Sequence, residues 1–170
     1  MEMENLGILK DLESTKLKEL FLDIDSKTRV PLIPVDRSIV RHLKPHQIEG
    51  VKFMWDSCFE KVELIQKGHT GSGCMLAHCM GLGKTLQVIT LVHTLLVHRK
   101  LTLVDRVLII VPVNVLNNWK AEFAQWTEDC AQKVKVFTIA TERSDNKQRV
   151  SELETWFEKG GVLLIGIFKL

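Results

Sequence analysis

The chain has 170 residues, enough for one core-bearing domain and too few for two of ordinary size. Its hydrophobic (45%) and charged (26%) fractions are those of a soluble globular protein, and a formal net charge of +2 is too small to specify a nucleic-acid partner by itself. No charged-then-apolar leader opens the sequence and no apolar run nears the ~18 residues of a membrane span, so a soluble, intracellular protein without a membrane partner is expected.

Residues 1 to about 25 alternate acidic and basic side chains around Leu6, Leu9, Leu12, Leu17, Leu20, Phe21 and Ile24. That spacing predicts a charged, weakly amphipathic helix standing outside the core. Pro31 and Pro34 make residues 27–36 an extended connector. The first unit is therefore 1–36, a helical extension with its linker.

A short helix is expected over Ser38 to Leu43. Pro45 suits the first turn of a second helix, where its missing N–H would be unpaired anyway. Ile48, Val51, Phe53, Met54, Trp55, Cys58, Phe59 and Val62 recur near helical spacing behind it. Gln66 to Gly73 reads as a surface loop and the apolar run Cys74 to Ala77 as a buried strand. From Lys84 a further helix runs to about His98 on Leu86, Val88, Ile89, Val92, Leu95 and Leu96. Val107 to Val111 is an unbroken apolar run, as in a strand covered on both faces, and Pro112 ends it. Leu116, Trp119, Phe123 and Trp126 fall on one helical face. Val134 to Ile139 reads as a strand, 146–159 as a polar helix and Val162 to Phe168 as a last strand. Strands alternating with helices predict an α/β unit over 37–170, with helices on both sides of a parallel sheet.

The chemistry concentrates in Ala77-His78-Cys79-Met80-Gly81-Leu82-Gly83-Lys84-Thr85. A strand, a glycine-rich turn, Gly-Lys-Thr and a helix form the context in which a phosphate loop has meaning. Gly81 and Gly83 let the backbone approach an anion. The amides of Met80, Gly81, Leu82 and Gly83 and the helix start would face it. Lys84 would reach the β- and γ-phosphates and the Thr85 hydroxyl would hold Mg²⁺, making ATP with Mg²⁺ the expected cofactors. The full G-x-x-x-x-G-K-[ST] pattern has glycine where this chain has His78. The competing reading is a glycine-rich turn that happens to contain Lys-Thr. The four cysteines, Cys58, Cys74, Cys79 and Cys130, contain no C-x-x-C pair and are expected as reduced thiols. Zinc on His69, Cys74, His78 and Cys79 is not expected, since the strand and the loop claim two of these residues.

Leu43-Lys44-Pro45-His46-Gln47, then Gly73 to Val88 around Met-Gly-Leu-Gly-Lys-Thr, then Val111-Pro112 with Asn117-Asn118-Trp119, resemble the SNF2-family ATPases. Most members carry an acidic pair where this chain has His78-Cys79, a substitution similar to the ATRX branch. The resemblance covers about residues 37–170. It implies an incomplete RecA-like P-loop lobe holding a Q motif, a Walker A loop, motif Ia and the start of motif Ib. It also implies a nuclear motor that translocates on double-stranded DNA and acts on nucleosomes, with other chromatin proteins as possible partners. In that scheme Gln47 reads the adenine edge, and Pro112 to Trp119 touches the DNA backbone. Without the resemblance, Gln47 is a solvated helix residue, Trp119, Phe123 and Trp126 are core packing, and Asn114, Asn117 and Asn118 cap a helix. His93 and His98 read as ordinary helix residues.

No Asp-Glu-x-His box occurs in the sequence. The resemblance thus implies a catalytically incomplete front part of a first lobe, without the second lobe's arginine fingers. The alternative is a non-catalytic module that binds nucleotide or DNA. A P-loop kinase or GTPase fits poorly, because some seventy residues precede the loop and no Asn-Lys-x-Asp motif is present.

Overall fold

The computed structural model describes residues 19–77, 79–140 and 145–167. Their elements run α1 (Arg37–Val40), α2 (Pro45–Cys58), α3 (Val62–Gln66), α4 (Lys84–Val97), α5 (Arg99–Thr102), β1 (Arg106–Pro112), a 3₁₀ turn at Val113–Val115, α6 (Leu116–Thr127), β2 (Val136–Ala140), α7 (Asn146–Lys159) and β3 (Gly161–Ile167). The three strands form one parallel sheet in the order β1-β3-β2, with Val107 opposite Val162 and Val136 opposite Val162 on its other side. This is the α/β architecture of a partial RecA-like lobe. Gly160 and Gly161 let β3 enter between its neighbours. Both have positive φ, and a Cβ on either would lie 2.6 Å or less from the carbonyl of Asp105 or Lys135.

Helix α4 divides the interior. Leu86, Leu91 and Leu95 face a cluster containing Val51, Met54 and Trp55 of α2, while Ile89, Val92 and Leu96 face Val111, Phe123, Val162 and Leu164 on the sheet side. Ten of its fourteen residues, Leu86, Gln87 and the run from Ile89 to Leu96, are buried, so polar side chains there must find partners. Thr90 and Thr94 do so by donating back to the Leu86 and Thr90 carbonyls at 2.7 Å.

Two expectations need correction. The expected N-terminal helix lies outside the described residues as far as residue 18. Residues 19–25 are not helical, and neither they nor the expected connector 27–36 stand outside the core: together they form a narrow antiparallel turn with bridges Phe21–Pro34 and Ile24–Pro31. Leu20, Leu22, Ile33 and Val35 are buried against α2 and α4. Their alternation is a period of two, and the Asp25 carboxylate closes the bend by accepting from the Lys27 and Thr28 amides at 2.8 and 2.7 Å. The expected strand Cys74 to Ala77 is likewise not a strand. Met75 is 80% exposed, and no described strand lies beside this segment. Apolar composition alone does not make a strand without a neighbour to supply the ladder.

The second helix ends at Cys58, and Val62 opens a separate short helix. On the sheet, Val107, Ile109 and Val111 point into the α4/α6 cluster, while Leu108 and Ile110 on the opposite face of β1 are 48% and 57% exposed. Helix α7 contacts β2 and β3 on this sheet. An uncovered apolar face beside a strand edge that is unpaired among the described residues favours association between chains. The Leu108→Thr/Ile110→Thr pair is therefore expected to reduce concentration-dependent light scattering while leaving the melting temperature within a few degrees. Unchanged scattering would count against this face as the cause.

A second prediction concerns His93. Its Nε2 lies 3.0 Å from the Gln132 carbonyl, while its buried Nδ1 has no partner among the described residues. Burial holds its pKa below 6.5, assisted by His98 and Lys133 and opposed by the Gln132 carbonyl and Asp36. The unfolded chain then binds the proton more tightly than the folded one. The stabilisation is complete above pH 6.5 and is lost as pH falls through the lowered folded value. Urea titrations at pH 7.5 and 5.5 are expected to give lower stability at 5.5, with a smaller difference in His93→Gln.

Candidate nucleotide-binding site

The loop at the start of α4 has the backbone of a phosphate cradle. Gly81 has φ +82°, and Gly83, the residue before α4, sits in the left-handed region at φ +72° and ψ +40°. Among the described residues the N–H groups of Met80, Gly81, Leu82 and Gly83 make no hydrogen bond. They adjoin the positive end of a fourteen-residue helix. The loop is exposed, Met80 to 95%. The Lys84 Nζ donates to the Cys79 carbonyl at 2.9 Å, folded over the loop. Thr85 is half-buried in the first turn of α4. His78 lies outside the described residues.

The loop is held from below by an arrangement that the sequence reading missed. Three side chains converge on the Leu82 carbonyl: Gln47 Nε2 at 3.2 Å, His46 Nε2 at 3.3 Å and Gln87 Nε2 at 3.4 Å. The Gln47 Oε1 also accepts from the Lys44 N–H at 2.9 Å, closing the first turn of α2. Gln47 is thus 7% exposed, not solvated, and its amide links helix α2 to the loop. Gln87 is fully buried, with its Oε1 unpaired among the described residues. Its position one turn inside α4 marked it only as a polar residue in an apolar run.

The segment after β1 resolves two readings. Phe123 is buried and Trp119 and Trp126 pack against the same cluster, so these rings are core. The residue capping α6 is Val115, with no side-chain cap bond, so Asn114 does not serve as the cap. Asn114, Asn117, Asn118 and Lys120 are exposed at the start of α6. His98 ends α4 and its Nε2 meets the Pro34 carbonyl at 2.9 Å, tying the N-terminal arm down. A hollow of about 470 Å³ lined by Asp36, Arg37, His93, His98 and Gln132 opens at that end, roughly 20 Å along α4 from the loop. No group of three or more His, Cys, Asp or Glu able to hold a metal ion occurs among the described residues.

Residues 46–169 match the SNF2-related domain. The chain belongs to the SNF2 family. It is 49% identical over 155 residues to the Transcriptional regulator ATRX homolog of Drosophila melanogaster, covering 91% of this chain and 12% of that protein. It is 44% identical over 168 residues to the human Transcriptional regulator ATRX, covering 98% of this chain and 6% of the relative. The human Helicase ARIP4 is 40% identical over 141 residues, covering 75% of this chain and 9% of that helicase. The chain therefore spans about a tenth of the length of these relatives.

The contact between Gln47 and the loop sets a graded stability prediction. Both Gly83→Ala and Gly81→Ala put a Cβ on a left-handed backbone, at about 1–2 kcal/mol each. At Gly83 the new Cβ would also meet Gln47 Nε2 at 2.2 Å, whereas at Gly81 nothing lies within 4 Å. Gly83→Ala is expected to lose more stability in urea denaturation than Gly81→Ala. Gln47→Ala removes the amide's bonds to the Lys44 N–H and the Leu82 carbonyl and should cost about 0.5–1.5 kcal/mol in the same titration.

Proposed function

We propose that this chain is the ATP-binding portion of an ATP-dependent DNA translocase and chromatin remodeller acting in the nucleus. The observation that carries the reading is the loop itself: amides at Met80 to Gly83 that are unpaired among the described residues, two glycines with positive φ, and a helix start beneath them. That arrangement suits a polyphosphate, whose oxygens would accept from those amides. Lys84 would leave the Cys79 carbonyl for the β- and γ-phosphates, exchanging a neutral acceptor for a charged one. The Thr85 hydroxyl would hold Mg²⁺, which when bound offsets charge developing on the phosphates.

Gln47 is the proposed adenine reader. An amide has two donor and two acceptor positions. Its bonds to Lys44 and Leu82 leave one N–H and one lone pair for a purine edge. The exposed Asn114, Asn117, Asn118 and Lys120 at the start of α6 would touch the DNA backbone, where phosphate contacts set register rather than sequence. Double-stranded DNA and nucleosomes are the proposed partners, in keeping with relatives named as a transcriptional regulator and a helicase. With no Asp-Glu-x-His box in the sequence, turnover by these residues alone is proposed to be slow or absent.

Titration with a fluorescent ATP analogue and Mg²⁺ tests the reading. Lys84→Ala is expected to weaken binding about 10- to 100-fold, as the loss of a charge-assisted contact would. Its circular dichroism should be unchanged. Equal affinity in a folded variant would overturn the cradle.

A further inference from the structure

The nucleotide reading makes no use of the cysteines, yet two of them meet. Cys58, the last residue of α2, and Cys74, on the way into the phosphate loop, bring their Sγ atoms to 3.6 Å. The approach follows from backbone packing rather than from two mobile side chains. The Ser72 amide donates to the Ser57 carbonyl at 3.2 Å, and a Cβ on Gly71 would fall 1.6 Å from the Cys58 carbonyl oxygen. Only glycine permits that passage. The end of α2 is itself fixed by Trp55, which is fully buried, stacks on Phe59 and donates from Nε1 to the Glu60 carbonyl at 3.0 Å.

We propose that Cys58 and Cys74 form a reversible disulfide under hydroperoxide, making them a redox modification site that ties the lead-in of the phosphate loop to helix α2. The exposed Cys74 meets the oxidant first. Its sulfur attacks the terminal peroxide oxygen and the O–O bond breaks, giving Cys74 sulfenic acid and releasing the alcohol, or water from hydrogen peroxide. The Cys58 sulfur then attacks that sulfenic sulfur and expels its hydroxyl as water. Two thiols lose two hydrogens and one peroxide O–O bond is reduced, so atoms and electrons balance. Forming a bond of about 2.05 Å from the present contact asks for a shift of roughly 1.5 Å. The segment carrying Cys74 is exposed and outside the sheet, so it can supply that shift.

Burial, with the hydrogen bond to Cys74, pushes the Cys58 thiol up to about 11. Because the thiolate is the attacking form, closure should be slow at neutral pH and faster toward pH 9. Neither other cysteine is so placed. Cys130 is buried beneath α6, and Cys79 lies past Cys74 on the loop itself. Reduced thiols are the resting state in a glutathione-buffered compartment, where protein disulfides are typically transient and redox-sensing.

The test treats the full chain with hydrogen peroxide, blocks remaining thiols by alkylation and maps the unreduced digest by mass spectrometry. The expected product is one peptide pair joined through Cys58 and Cys74, lighter by two hydrogens than its reduced parts. It should form faster at pH 9 than at pH 7 and be released by dithiothreitol. Cys74→Ser, at an exposed position, should leave Cys58 fully alkylated. A dominant Cys74–Cys79 link, or Cys74 advanced to sulfinic acid beside an alkylatable Cys58, would overturn the proposal. Because the wild-type chain carries the main readout, a poorly folding variant cannot mask the answer. The result is independent of whether the loop binds ATP.

Discussion

Helix α4 is packed on two sides, and the rest of the structure is arranged around that constraint. A helix with one apolar stripe needs one partner, whereas α4 needs the N-terminal arm with α2 on one side and the sheet with α6 on the other. At its start Gly83 turns the chain in a left-handed conformation, and the loop emerges into solvent. The loop therefore joins a rigid floor to an exposed backbone. That combination suits anion binding, because amides fixed in direction need no reorganisation when charge arrives. The His93 contact to Gln132 and the His98 contact to Pro34 secure the far end of the same helix.

The Leu82 carbonyl is the second organising point. A carbonyl oxygen has two lone pairs, and three side-chain donors lie within 3.4 Å of it. They come from two helices, so the contact couples α2 to α4 through the loop. A nucleotide recruiting Gln47 would thus act on a residue already holding the loop. Binding and loop geometry become linked through one amide. Gln87 Oε1, unpaired among the described residues, represents a cost of about 1–3 kcal/mol at a buried polar atom, and such costs tend to be retained where a site needs them.

Legibility in the sequence divided along physical lines. The start of α4, β1 and the α6 face were readable because each depends on local spacing: Gly-Lys-Thr before a 3.6-residue period, or an apolar run closed by Pro112. The α/β class followed from their alternation. What failed depended on partners distant in the chain. Cys74 to Ala77 had a strand's composition but no neighbouring ladder. Residues 19–25 looked like the end of a charged helical appendage and 27–36 like a linker, while the two-residue alternation of Leu20, Leu22, Ile33 and Val35 carried the true signal. Asn114 had a cap's chemistry, yet the 3₁₀ turn shifted the cap to Val115. The approach of Cys58 to Cys74 rests on Gly71 packing against a helix end, which no local pattern encodes.

This division has a consequence for the site. The proposed grip on a polyphosphate would be a local property, set by two glycines, four amides and the helix start, all within Met80 to Thr85. It can persist wherever α4 is held. The other contacts are non-local. Gln47 arrives from α2 thirty-five positions away from Leu82, and the asparagines at the start of α6 stand beyond β1. Their orientation relative to the loop depends on both cores, so a core change that leaves the cradle intact can still alter what surrounds it. On the proposed reading, nucleotide selection and any response to DNA would be more sensitive to packing than phosphate binding itself. In such a site the anion contact would supply the anchor, while specificity would come from how two helices are held against the one they share.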